Sequence, residues 1–171
     1  MLKVTPFNQL EGYPDNPAFF SPGGMLTNGK AYYFTSMTLL DSWRLFARTH
    51  SGPWEAANHV LGVAFVSMHQ ACELLMKAIG LFLVPDFKPR TYGHNLVALL
   101  EHNRQVPLFA EILTSTNTVD LLHALSSAYL GVRYGEMHWA YEDSRLFLFT
   151  DLAGRLISTA DEASRLGLPA R

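Results

Sequence analysis

The chain has 171 residues, which is enough for one domain with a substantial core. Its formal net charge of −2 gives no global attraction to nucleic acid, so any RNA contact would depend on a local patch. Charged residues make up only 16% of the chain and hydrophobic residues 49%. Because this charge content is low for a globular domain, we expect a large buried interface with a second copy of the chain, that is, a homodimer.

Residues 1–27 are rich in proline, glycine and aromatic side chains. Proline and glycine at this density interrupt regular secondary structure, whereas the aromatic side chains favour packing against a surface. We therefore predict an irregular N-terminal arm over 1–27 and a helical domain over 28–171. The first residues lack the basic-then-apolar pattern of a signal peptide, and we expect a cytoplasmic protein.

From residue 28 onward the apolar residues recur with helical periodicity, and no alternation typical of strands is present. Pro53 suits the first turn of a long helix, Pro85 ends that helix, and Gly167 ends the last one. The predicted helices cover about 29–49, 53–84, 94–104, 107–114, 118–134 and 143–166. The pattern predicts an all-α fold, an up-and-down bundle of four or five helices.

The long second helix carries a polar stripe in an otherwise apolar sequence. His69, Glu73 and Lys77 recur every four residues, so these three side chains share one helix face. Gln70 follows His69 directly in the sequence. They interrupt the apolar run over 60–84, and we therefore expect no membrane span there. An imidazole, a carboxylate and an ammonium group on a buried face need partners elsewhere in the fold. The stripe is the first candidate for a functional site.

Two interpretations of this stripe remain open. In the first it is a polar seam in which Glu73 pairs with Lys77 or with Arg133 of a neighbouring helix, since buried ionic groups are costly unless paired. In the second the same groups converge with Arg133 and His94 on a pocket for a nucleotide or a phosphate. We expect neither a metal nor a cofactor, because the stripe offers a lysine where a metal ligand would be needed.

Several smaller features have structural explanations. The side chain of His94 or Asn95 can cap the helix that follows it, and we favour capping here. Cys72 lies on an apolar face and is expected to pack as a small hydrophobic residue. The remaining histidines show no partner spacing and are assigned to the surface or to grooves: His50, His59, His102 and His123.

The order of these elements resembles the HEPN superfamily over residues 30–165. Three segments carry the similarity: MHQACELLMKAIGLFL at 68–83, YGHNLVALLE at 92–101 and SSAYLGVRYGE at 126–136. In the third segment, glycine and glutamate stand where the family more often has proline and aspartate. The resemblance implies a homodimeric helical bundle that binds a nucleotide or RNA, or that docks a nucleotidyltransferase or antitoxin partner in a toxin–antitoxin or defence setting.

Arg133 and His138 form the second candidate site. Ribonuclease members of the superfamily carry an arginine, four to six residues and then a histidine, and the spacing here falls within that pattern. A histidine can move protons at a ribose hydroxyl while a guanidinium holds the phosphate. The resemblance thus implies a metal-independent ribonuclease as the alternative function.

Tyr134 stands where active nucleases of the family usually carry a polar residue, so we favour a non-catalytic binding module. The candidate ligand-binding residues are His69, Gln70, Glu73, Lys77, His94, Tyr134 and Glu136.

Overall fold

A computed structural model describes residues 20–49, 54–113, 117–134 and 143–167. In these ranges all regular secondary structure is helical, which confirms the predicted all-α class. The helices are α1 (Pro22–Thr49), α2 (Trp54–Leu83), α3 (Leu96–Asn103), α4 (Ala110–Leu113), α5 (Thr118–Tyr134) and α6 (Asp143–Leu166), with short 3-10 turns at Pro89–Tyr92 and Pro107–Phe109. Most of the predicted arm over 1–27 lies outside the described residues.

Helix α1 begins at Pro22, so the predicted start near residue 28 was wrong for this helix. The Ser21 hydroxyl accepts a hydrogen bond from the Gly24 amide at 3.0 Å and caps the first turn. Pro22 fits this turn because its missing N–H has no intrahelical partner there. Met25 is buried in a small cluster with Leu74 of α2. Pro22, Gly23 and Gly24 predicted an irregular segment, but they form the first turn of α1.

Helix α2 is the centre of the bundle and packs against α1, α3, α5 and α6. Many of its apolar residues are fully buried, among them Leu75, Met76 and Ile79. Over His59–Leu83 the helix is long and apolar enough to cross a membrane, but 72% of its most apolar window is buried inside the bundle. Burial of this kind is typical of a core helix, so the apolar stretch is weak evidence for membrane insertion.

Two glycines allow other elements to approach α2 closely. A Cβ added at Gly29 of α1 would lie 2.9 Å from Cγ of Leu75, and one added at Gly80 would lie 2.7 Å from the Phe87 ring. The Ser36 hydroxyl donates to the carbonyl of Ala64 at 2.8 Å and joins α1 to α2 directly.

The segment after α2 folds back along that helix and positions the start of α3. The Phe87 ring stacks on Tyr92 with ring centroids 5.5 Å apart, and Asn103 donates to the Met76 carbonyl at 3.1 Å. The Asn95 side chain accepts from the Ala98 amide at 3.0 Å, which confirms the predicted cap of α3. His94, one residue earlier, is thereby held beside the polar stripe of α2.

Candidate functional site

Glu73 is the centre of a polar cluster inside the bundle. Its side chain is only 4% exposed, and both carboxylate oxygens have partners. Lys77 Nζ donates to Glu73 Oε1 at 2.6 Å and to the Gly93 carbonyl at 2.8 Å. His94 Nδ1 lies 2.8 Å from Glu73 Oε2. The polar stripe of α2 is thus joined to the loop that leads into α3.

His94 is the exposed member of this cluster, with 54% of its side chain accessible. A carboxylate only accepts hydrogen bonds, so His94 Nδ1 must be the donor to Glu73. The second ring nitrogen, Nε2, is left for solvent or for a ligand. Glu73 therefore fixes both the orientation and the tautomer of an accessible imidazole.

His69 is fully buried beneath this cluster. Its Nδ1 is 3.9 Å from Glu73 Oε2, too far for a hydrogen bond. The backbone of His94 lies close enough to favour protonation slightly, yet neither ring nitrogen makes a hydrogen bond of acceptable geometry with the described residues. Burial lowers the pKa of His69 to about 4 and outweighs the opposing effect of Glu73. The imidazole is therefore neutral near pH 7.

The Tyr129 ring of α5 lies next to both imidazoles. It stacks on His69 with ring centroids 4.4 Å apart and an angle of 14° between the ring planes. His94 lies 5.4 Å from the same ring at 37°. Together His69, Tyr129 and His94 form an aromatic wall.

This wall borders a cavity of about 500 Å³ between α5 and the loop that leads into α3. Five rings line it, those of His69, His94, His123, Tyr92 and Tyr129. Polar groups from Asn95, Ser126 and Ser127 complete the polar part of the lining, and among the described residues no Asp, Glu, Lys or Arg contributes to it. The cavity therefore combines flat rings with neutral or titratable hydrogen-bonding groups.

Cys72, one residue before Glu73, takes no part in this chemistry. It is fully buried, and burial raises the pKa of its thiol to about 12. A thiol of this kind does not form the nucleophilic thiolate at physiological pH. Its burial agrees with the prediction of a small hydrophobic residue.

The structure brings four predicted site residues together, namely His69, Glu73, Lys77 and His94. Gln70 is half-buried and does not line the cavity. Arg133 and Tyr134 belong to the last turn of α5, but their side chains lie outside the described part of the structure, as do Glu136 and His138 altogether. The Arg133–His138 pair stays a prediction.

The sequence interpretation missed the contribution of α5. Tyr129 was not among the predicted site residues, and His123 was assigned to the surface or a groove. His123 is indeed exposed, but it lines the cavity together with Ser126, Ser127 and Leu130. These four residues follow the i, i+3, i+4, i+7 spacing of one helix face. That spacing was a signal available in the sequence.

Comparison of the chain with family models, with curated proteins and with solved structures finds no match. Among the described residues, no group of three His, Cys, Asp or Glu side chains is arranged to hold a metal ion. The proposed function consequently depends on the geometry of the cavity and of the Glu73 cluster.

Proposed function

We propose that this chain is a HEPN-type binding module whose cavity binds a nucleotide, either free or at the end of an RNA strand. The observation that carries the proposal is the aromatic wall of His69, Tyr129 and His94 beside the cavity. Nucleobases stack readily on such rings, and this stacking tolerates different bases. The resemblance of three sequence segments to the HEPN superfamily agrees with this function.

The remaining lining suits the polar parts of a nucleotide. The Ser126 and Ser127 hydroxyls and the Asn95 amide can bind ribose or phosphate oxygens, and no carboxylate of the described lining would repel a phosphate. The volume of about 500 Å³ falls within the range of roughly 300–1,000 Å³ that is common for small-molecule sites.

The Glu73 cluster favours binding over catalysis at this site. Both oxygens of Glu73 are engaged, the Lys77 ammonium has two partners, and the Cys72 thiol is protonated. Glu73 and Lys77 are therefore suited to hold His94 in place, and the protonated Cys72 thiol is not suited to attack a substrate. The alternative function is a metal-independent ribonuclease with Arg133 and His138 as catalytic residues.

Nucleotide binding is tested by titration calorimetry and thermal melting with adenosine, guanosine, cytidine and uridine monophosphates. A ligand of the folded state should raise the melting temperature in a concentration-dependent manner. Tyr129→Leu should weaken binding at least about tenfold because it removes the central ring, whereas Tyr129→Phe retains stacking. Phe147→Ser, at an exposed aromatic residue of α6 outside the cavity, is the matched control.

Two results would contradict this function. One is the absence of any thermal shift or heat of binding at millimolar nucleotide, and the other is unchanged affinity in Tyr129→Leu. Incubation of the wild-type protein and of His138→Ala with single-stranded RNA tests the alternative. Cleavage by the wild type that His138→Ala abolishes would favour the ribonuclease.

We also propose that the chain forms a homodimer through α1. Phe34 and Leu45 are 64% and 65% exposed, and they lie eleven residues apart, which is close to three helical turns and places them on one face. Light scattering should give twice the monomer mass of 19.1 kDa, and Phe34→Ser with Leu45→Ser should give the monomer. A monomeric wild type would contradict the homodimer, and the exposed face of α1 would then be a candidate surface for a different protein partner.

A further inference from the structure

His94 differs from the other cavity residues because its imidazole is both accessible and fixed. Its Nδ1 is held by Glu73, and Glu73 is held in turn by Lys77. Lys77 also binds the carbonyl of Gly93, the residue that precedes His94. Three hydrogen bonds thus set the position of one half-exposed ring at the edge of the cavity.

This arrangement decides where His94 exchanges a proton. Because Nδ1 donates to the Glu73 carboxylate in either protonation state, the gain and loss of a proton take place at Nε2. Neutral His94 offers a hydrogen-bond acceptor at Nε2, and protonated His94 offers a donor together with a positive charge. The ring can therefore change from an acceptor for a neutral ligand to a cationic donor for an anion.

The groups that face His94 come from three parts of the fold. Glu73, Lys77 and His69 belong to α2, Tyr129 and His123 to α5, and Tyr92 to the preceding 3-10 turn. Lys77 is only 10% exposed, and its ammonium charge is matched by the Glu73 carboxylate. Burial keeps His69 neutral. In the described lining, only His94 and His123 can present a positive charge to a ligand.

Of these two imidazoles, only His94 is positioned by a carboxylate and belongs to the aromatic wall. A base stacked on Tyr129 would place its own phosphate or that of a neighbouring nucleotide within reach of this ring. A charge-assisted hydrogen bond from an imidazolium to a phosphate oxygen is about twice as strong as its neutral counterpart.

We propose that His94, held by Glu73, selects phosphorylated nucleotides over nucleosides by binding a phosphate oxygen through protonated Nε2. Binding of a phosphorylated ligand to a protein whose His94 is neutral then takes up one proton from solvent at Nε2, whereas binding of a nucleoside takes up none. This inference rests on the proposed nucleotide function and names the ligand class of the same cavity.

The test compares two probes, adenosine 3′,5′-cyclic monophosphate and adenosine, between pH 6 and pH 8.5. The cyclic phosphodiester keeps a single negative charge over this range, so any change in affinity reflects the protein. Its affinity should fall as the pH rises, because only the protonated imidazole of His94 offers a donor at Nε2. Adenosine affinity should stay constant. Calorimetry in buffers of different ionisation enthalpy should show proton uptake for the cyclic nucleotide alone.

His94→Asn is the decisive variant, because its amide nitrogen takes the place of Nδ1 and can still donate to Glu73 but does not titrate. It should bind the cyclic nucleotide with the affinity that the wild type shows at pH 8.5, independently of pH, and it should bind adenosine normally. His123→Asn is the matched control and should keep the pH dependence of the wild type. Circular dichroism at each pH verifies that the compared proteins are folded.

Three outcomes would overturn this inference while nucleotide binding itself stands. They are pH-independent binding of the cyclic nucleotide, a pH dependence that persists in His94→Asn, and a pH dependence that is lost in His123→Asn. If neither probe binds at any pH, the proposed function fails, and this inference fails with it.

Discussion

Two neighbouring turns of α2 are packed in opposite ways. Toward α6, Phe65 meets Phe149 edge-on with ring centroids 5.3 Å apart, and Met68 is buried among apolar side chains. Toward α5 and the loop before α3, His69 and Glu73 are equally buried, but His69 lines the cavity of about 500 Å³ and Glu73 binds His94, which also lines it. We refer to the part of α2 that faces α6 as its apolar side and to the part that faces α5 as its polar side.

The difference shows what each side contributes. The apolar side fills its space with rings and methyl groups, as a core that stabilises the fold does. The polar side buries an imidazole, a carboxylate and an ammonium group, which costs desolvation energy that apolar packing avoids. Departures from the packing rules concentrate at functional sites. The polar side is therefore where ligand binding is expected, and the following predictions test this contrast.

The largest effect is expected from breaking the buried ion pair on the polar side. Glu73→Ala leaves the Lys77 ammonium buried without its carboxylate, and we expect a loss of about 3–5 kcal/mol in the free energy of unfolding. Urea denaturation of the wild type and of Glu73→Ala measures this loss in the free energy of unfolding. Glu73→Leu combined with Lys77→Met removes both charges and should recover most of the stability, but it should not restore the orientation of His94. A double variant as unstable as Glu73→Ala would contradict this account.

The second effect is a pH dependence of stability that comes from His69. Its pKa is about 4 in the folded protein against 6.5 for an unperturbed histidine. As the pH falls below 6.5, His69 is protonated in the unfolded chain but stays neutral in the folded protein, so the folded state loses stability down to about pH 4. Between pH 7.5 and 4.5 this loss is about 2.5 kcal/mol.

His69→Phe isolates this contribution, because phenylalanine keeps a ring against Tyr129 and does not titrate. The difference in unfolding free energy between the two pH values should be smaller in the variant by about 2.5 kcal/mol. Met68→Leu, a substitution on the apolar side, is the control and should leave the pH dependence unchanged. Equal pH dependence in wild type and His69→Phe would show that His69 accepts a proton in the folded state.

A smaller loss of stability is expected where Gly80 of α2 lies close to the Phe87 ring. Gly80→Ala places a Cβ within 2.7–2.8 Å of three ring carbons of buried Phe87. The destabilisation from overpacking, about 1–3 kcal/mol, should exceed the stabilisation from the higher helix propensity of alanine, which is up to about 1 kcal/mol. Gly23→Ala is the matched control, because nothing lies within 4 Å of its added Cβ. Thermal melting should show Gly80→Ala below the wild type and Gly23→Ala at or above it.

Much of the fold could be predicted from local signals. The periodicity of apolar residues and the prolines before and after α2 predicted its length, and Asn95 was recognised as a cap. The start of α1 was missed because serine, proline and two glycines can mark either a loop or a first helical turn. Only the burial of Met25 against α2 decides between them, and that contact is tertiary.

The candidate site was predictable only where it is local. Glu73 and Lys77 are four residues apart on one helix, so their pairing follows from helix geometry. The bond between His94 and Glu73 depends on how the segment after α2 folds back, and convergence of His94 with the stripe was one of two interpretations that the sequence left open. The stacking of Tyr129 on His69 depends on which face of α5 meets α2. The spacing of His123, Ser126, Ser127 and Leu130 marks one face of α5, but it does not specify which residues of α2 that helix meets.

The smallest effect is expected from an ion pair at the surface, which sharpens the contrast with Glu73 and Lys77. Lys30 of α1 pairs with Asp161 of α6, and both side chains are about one-third exposed. Water and salt screen such a pair, so a double-mutant cycle with Lys30→Met and Asp161→Asn should give at most about 1 kcal/mol of coupling. The coupling should fall further in 0.5 M salt, whereas the penalty of Glu73→Ala should change little because its partner is buried. A surface coupling as large as the buried penalty would mean that burial is not what distinguishes the polar side of α2.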